Sequence, residues 1–203
     1  MNPAPSADAA SVAASSTAPV APADAAPVAA LLADILDRVD SWLKFAEAKN
    51  LAVSALTGTA SGALIGLLRG ADAMAPPVRA AFGGAEMAFL AALATAVWSF
   101  RPQQDPALRP ERPPAGEDSD NLYFSGHLAA YSPQELAAEV ARRYGGLAVY
   151  DPAHHPQHVA LAGQVVANAV ITNAKLRLFN RASGFVLLGL VLVAVGLLLE
   201  LLS

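Results

Sequence analysis

The chain has 203 residues, of which 55% are hydrophobic and 15% charged, with a formal net charge of -4. That balance is too apolar for an ordinary soluble domain and argues against nucleic-acid polymers as partners. Cysteine is absent, which excludes disulfides and thiolate metal sites.

Residues 1–27 are almost entirely Ala, Pro, Ser, Thr and Val, interrupted by Pro3, Pro5, Pro19, Pro22 and Pro27. Such a segment buries too little to offset the entropy of ordering, so a disordered tail is expected. It holds no Lys or Arg and no continuous apolar core, unlike a signal peptide. Over 28–50 the pattern becomes helical. Leu32, Ile35, Val39, Trp42, Leu43 and Ala46 recur on one face, and Asp34–Arg38 and Asp40–Lys44 form four-apart pairs on the other. No breaker separates this amphipathic, juxtamembrane helix from the first membrane-length stretch at 51–68. One helix of roughly 60 Å is therefore expected to pass from the cytosol across the bilayer.

Within that stretch Gly58, Gly62, Gly66 and Gly70 stand at strict four-residue spacing, and Ser54 extends the run backwards. In an apolar helix this leaves one face bare, so that a second backbone can approach closely. Either a second copy takes that face in a homo-oligomer, or the monomer's own second or third span takes it, with Gly83 and Gly84 of the second able to receive it. Pro76 and Pro77 forbid continuation of the first helix. The second span is expected over 80–100, ending in Trp98 and Phe100 just before Arg101, an interfacial anchor. Glu86 lies about 9 Å inside this span, which favours a place at the outer interface near Arg69 or Arg79.

Residues 101–182 read as an insert. A Pro-rich, acid-ended linker runs to 120, followed by an apolar-aromatic segment from Asn121 to His127. Ser132, Pro133 and Glu135 open a helix that stops at Gly145-Gly146. A loop with His154, His155 and His158 leads into a helix from about Gln157, which meets no breaker before the third span at 183–202. The predicted fold class is an all-α membrane protein with three transmembrane helices, a small helical head and a disordered N-terminal tail. Arg38, Lys44 and Lys49, Arg101, Arg109 and Arg112, and Lys175, Arg177 and Arg181 all flank the spans on one side. Only Arg69 and Arg79 lie on the other, so the N-terminus and 101–182 are expected in the cytoplasm.

Gln164, Asn168, Thr172 and Lys175 share one stripe of the last juxtamembrane helix, and Asn173, Arg177 and Asn180 form a second. Amides suit a base edge and a lysine suits a phosphate, although a solvated polar face has the same composition. Tyr123, Phe124 and His127 are placed to stack on a base or to close a small core. Arg142 and Arg143 suit a phosphate or the open surface. The three histidines are interrupted by Pro156 and lack a carboxylate at ligand spacing, so they read as a polar loop rather than a metal site. No phosphate loop, nucleophile elbow or carboxylate–histidine pair is present, which points away from an enzyme.

Four features together carry a resemblance. They are Glu47-Ala48-Lys49 before a small-residue span, a short second span, the segment Asn121-x-x-Phe124-x-Gly126-His127, and a helix with Asn168, Lys175 and Asn180 entering a terminal span. Over roughly 35–202 the chain resembles the transmembrane effectors of the Pycsar anti-phage systems. The resemblance implies an effector that senses a cyclic pyrimidine mononucleotide, cCMP or cUMP, made by a companion cyclase. It implies impairment of the inner membrane in response, with no cofactor. The residues then expected at the nucleotide are Lys49, Asn121, Tyr123, Phe124, His127, Asn168 and Lys175. Lys49 or Lys175 would neutralise the phosphate, and Asn168, Tyr123 or Phe124 would engage the base. Two other classes stay open: a membrane-anchored scaffold whose head binds a partner protein, and a metal-dependent hydrolase built on the histidine loop.

Overall fold

The structure is a computed structural model that describes residues 26–70, 74–101, 120–147 and 149–202. The tail read over 1–27 and the linker read over 101–120 lie outside the described residues, except at their edges. Ala26 and Pro27 belong to the first helix, whose opening turn tolerates proline because its N–H groups have no helical partner.

All regular structure among the described residues is helical. Helix α1 spans Ala26–Leu68, α2 Pro76–Trp98, α3 Ser125–Leu128, α4 Pro133–Arg143 and α5 Pro156–Leu202, with a 3-10 turn at Pro152–His154. Three of these, α1, α2 and α5, are long and apolar enough to cross a membrane. With 43 and 47 residues, α1 and α5 extend for about 64 and 70 Å, twice the thickness of a hydrocarbon core. Each therefore spans the bilayer with one half and builds the head with the other. Three of the hydroxyls that dilute the first span are satisfied locally: Ser54, Thr57 and Thr59 donate to the carbonyls of Asn50, Val53 and Ala55 at 2.9, 2.7 and 2.9 Å.

Two apolar cores are stacked along α1 and α5. The head core joins Val28, Leu32, Ile35 and Val39 of α1 to Leu122, Leu128, Leu136, Val140 and, from α5, Val165 and Val166. Helix α4 is held at its start by a capping box, in which Ser132 and Glu135 satisfy each other's backbone N–H groups. It ends at Gly145-Gly146, where Gly146 takes the left-handed conformation with φ of 65°. The membrane core joins Val53 and Leu64 of α1 to Val78, Phe82 and Phe89 of α2 and to Ala182 and Val186 of α5. Between the cores lies a collar of buried polar residues: Asn50, Ser99, Thr172 and Lys175.

The glycines divide into two kinds. A methyl group added at Gly58, Gly62 or Gly66 meets no atom within 4 Å, so the bare face of α1 is not filled by α2 or α5. This removes the intramolecular alternative for the ladder. The glycines on which helices close are instead Gly189 and Gly196 of α5. There an added Cβ would lie 2.6 and 2.7 Å from the rings of Phe89 and Phe82. Both rings are buried and cannot swing aside. Gly189→Ala is therefore expected to cost about 1–3 kcal/mol of bundle stability, whereas Gly62→Ala costs nothing. Unfolding of the two variants in detergent micelles checks this, and equal losses would contradict the packing described.

Two side chains stand elsewhere than the sequence suggests. Trp42 does not join the apolar stripe and is 44% exposed, next to Phe45 at 46%. Glu86 is not paired with Arg69 or Arg79. It sits ten residues past Pro76, about 15 Å along α2, and is only 7% exposed, with neither carboxyl oxygen partnered. A charged group at that depth costs roughly 3 kcal/mol on membrane-insertion scales.

Candidate functional site

The segment Asn121 to His127 folds into a turn in which each motif residue has a local task. The Asn121 side chain accepts from the Tyr123 N–H at 2.9 Å, and the Asn121 N–H donates to Nδ1 of His127 at 2.9 Å. The Asp120 carboxylate lies 3.7 Å from the same nitrogen. Phe124 packs edge-on against His127, with centroids 5.3 Å apart. Gly126 makes room for the Phe124 ring, because a Cβ there would collide with it. The turn is bound to α5 twice through one residue: Ser125 Oγ donates to Asn173 Oδ1, and Asn173 Nδ2 donates to the Ser125 carbonyl, both at 2.9 Å. Tyr123 points the other way, toward Tyr144 and beneath Arg38, whose guanidinium carbon lies 6.0 Å from its ring. Burial, then the neighbouring Asp34, raises its hydroxyl above the usual tyrosine range.

Further toward the membrane, the collar ties three helices. Lys175 Nζ lies 3.0 Å from Glu47 Oε1 and donates to the Ser99 carbonyl at 3.2 Å, so α5, α1 and the end of α2 meet at one ammonium. Asn50 Nδ2 donates to the Lys175 carbonyl at 3.3 Å. Lys49 lies over the rings of Phe45 and Phe179, 4.4 and 4.9 Å from their centroids. Seven residues before Lys175, Asn168 Nδ2 donates to Asp40 Oδ1 at 2.6 Å, so Asp40 engages α5 rather than Lys44.

The seven residues expected at a nucleotide therefore fall into separate groups. Asn121, Tyr123, Phe124 and His127 share the turn, Lys49 and Lys175 share the collar, and Asn168 closes the α1–α5 seam. Asn173 meets the turn while Lys175 meets α1; two residues apart, they point about 200° from each other around α5. Arg142 and Arg143 both engage the Glu139 carboxylate, whose pKa is held below the usual carboxylate range by Arg142 and Arg143 against the opposing effect of burial. Arg143 also donates to the Asp120 carbonyl at 2.9 Å.

The sequence reading missed an open groove of about 550 Å³ along the head half of α1, lined by Asp34, Asp37, Arg38, Ser41, Trp42 and Phe45. It offers one guanidinium, two carboxylates and an indole with an exposed face. The signal was available in the spacing, because Arg38, Ser41 and Phe45 share the outward stripe of α1 that continues to Gly62 and Gly66.

The histidine loop forms a stack instead of a metal site, and no metal-ligand cluster occurs among the described residues. Tyr150, His155 and His158 lie nearly parallel, with His155 5.0 Å from each of the other two rings. The Tyr150 hydroxyl donates to His158 Nδ1 at 2.9 Å when that ring carries its proton on Nε2. Burial, then the facing His155, lowers the pKa of His158 below its ordinary value. The unfolded chain, with a value of about 6.5, thus binds this proton more readily than the folded one. The contribution is fully present above about pH 6.5 and is lost as the pH falls through the window beneath it. The head should melt at a lower temperature at about pH 5.5 than at about pH 7.5, and His158→Gln should reduce the difference. A difference undiminished in the variant would assign the effect elsewhere.

The fold and the collar define a class: a membrane protein with three spanning helices, two of which continue unbroken into a helical head. The family model described as the Pycsar effector protein domain matches residues 31–201, and the chain belongs to that family. Its role is accordingly that of an anti-phage effector. No curated protein and no solved structure matches the chain.

Proposed function

We propose that the head, on the cytoplasmic side of the inner membrane, binds a cyclic pyrimidine mononucleotide, cCMP or cUMP, supplied by a companion cyclase. Binding shifts the three spans toward an arrangement that impairs the membrane, and the infected cell stops growing. The protein acts in this reading without catalysis or cofactor. The observation that carries it is the collar: a single ammonium, Lys175, joins both head-building helices and the end of α2 where the head meets the membrane. A nucleotide phosphate that draws Lys175 away from Glu47 and Ser99 necessarily loosens α1, α2 and α5 together. A ligand moves such an equilibrium only by binding the two arrangements unequally, and competition for one ammonium supplies that inequality.

The ladder gives the same reading its oligomeric part. The outward face of α1 runs from Arg38 and Ser41 through Phe45, Ala48, Ala52 and Ala55 to Gly62 and Gly66, all of them exposed. A second copy in the same membrane orientation packs there, backbone against backbone.

The test is binding of cCMP and cUMP to the full chain in lipid nanodiscs, compared with Lys49→Ala and Lys175→Ala. At least one nucleotide is expected to bind the wild type, and loss of a phosphate partner should weaken it on the order of tenfold, about 1.4 kcal/mol. Unchanged affinity in both variants would remove the lysines from the site.

A further inference from the structure

The buried side-chain oxygens without a hydrogen-bond partner, among the described residues, belong to Asn50, Ser61 and Glu86. None of these atoms lies in the head core; the three residues stand from the collar to mid-membrane. Asn50, Thr57 and Ser61 occupy the inward face of α1, with exposures of 0, 0 and 5%, and Glu86 faces inward from α2. Thr57 continues the row between Asn50 and Ser61, its hydroxyl directed to the Val53 carbonyl. Glu86 stands four residues after Phe82 and three before Phe89, hence on the same face of α2. Those two rings close on Gly196 and Gly189 of α5, so the carboxylate is sealed between two tight helix contacts. Asn50 Oδ1, Ser61 Oγ and both Glu86 carboxyl oxygens thus stand without a partner in a place where each is costly. Oxygen acceptors without donors are the surroundings that a hard cation replaces its water with.

We propose that the seam between α1, α2 and α5 is a path for monovalent cations, with Glu86 as its mid-membrane binding site. At the head end the Lys175 ammonium occupies the mouth, beside Glu47 and the Ser99 carbonyl, and repels an entering cation. At the far end Leu64, Val78 and Phe82 close the seam with apolar side chains. Release of Lys175 and a small separation of α5 from α2 admit water, and the acceptors then line the path. This rests on the proposed membrane impairment and specifies its form: selective conduction rather than general rupture.

The test uses the full chain in phosphatidylethanolamine–phosphatidylglycerol vesicles, with potassium and chloride flux measured after addition of cCMP or cUMP. The wild type should pass potassium over chloride by on the order of tenfold, as acidic side chains impose in cation channels. Glu86→Gln, which keeps shape and removes the carboxyl group, should bring the ratio near one while nucleotide binding persists. Glu86→Asp should retain the preference. Equal potassium and chloride flux in the wild type, or an unchanged ratio in Glu86→Gln, overturns the path and leaves membrane impairment standing. Absence of flux with either nucleotide overturns both.

Discussion

Gly62→Leu should leave the protein folded, inserted and able to bind the proposed nucleotide, yet abolish the proposed toxicity to the host cell. The first half follows from geometry, because a Cβ at Gly62 meets nothing within 4 Å and a leucine there points away from α2 and α5. The second half follows from the proposed α1–α1 contact, in which a leucine side chain forces two backbones apart where glycine lets them touch. Losing close packing over two turns should cost on the order of 2–3 kcal/mol per contact, enough to reduce association about 100-fold. The measurement is growth after induced expression together with crosslinking of the membrane fraction. Toxicity that survives with the oligomer intact would show that the ladder is not the working contact. The paired variant Gly189→Ala should behave oppositely, losing bundle stability in the monomer itself.

Changes at the collar should separate its two proposed tasks. Lys175→Met removes both the resting tie and the phosphate partner. The protein is then expected to be toxic without nucleotide and to respond no further when nucleotide is added. Glu47→Gln weakens the tie but spares the ammonium. Because the Glu47 side chain is 48% exposed, its share is that of a partly solvated ion pair, about 1 kcal/mol. That shift should lower the nucleotide concentration needed for half-maximal response about fivefold. Dose–response curves of dye uptake by cells or vesicles read both effects. A quiet Lys175→Met protein, or a Glu47→Gln protein that needs more nucleotide, would mean that the collar does not hold the resting state.

Much of the architecture could be read from residue patterns because membrane-spanning helices announce themselves by length and apolarity. The absence of breakers between 28 and 68 and after Pro156 foretold two helices that serve the head and the bilayer at once. The capping box at Ser132 and the stop at Gly145-Gly146 were equally plain, since both depend on local chemistry. The unpartnered burial of Glu86 was not legible because it depends on which face of α2 meets α1 and α5, which no spacing within α2 fixes. Trp42 was misassigned because a helix with two usable faces, one toward α5 and one outward, has no single apolar stripe. The ladder was visible, but its partner was not: Gly58 to Gly66 and the pair Gly189 and Gly196 have the same composition, and only the surrounding rings distinguish them. The proposed site was least legible of all. Glu47, Lys175 and Ser99 lie 128 and 76 residues apart in sequence, and nothing short of the packed bundle brings them to one ammonium.

The central claim is that a cyclic pyrimidine nucleotide at the head opens the membrane. Its most direct test is release of a trapped dye from vesicles containing only the full chain and lipid, on addition of cCMP, cUMP or cAMP. Release with cCMP or cUMP and none with cAMP is the predicted result. Release that ignores the nucleotide, or no release with either pyrimidine, would contradict it.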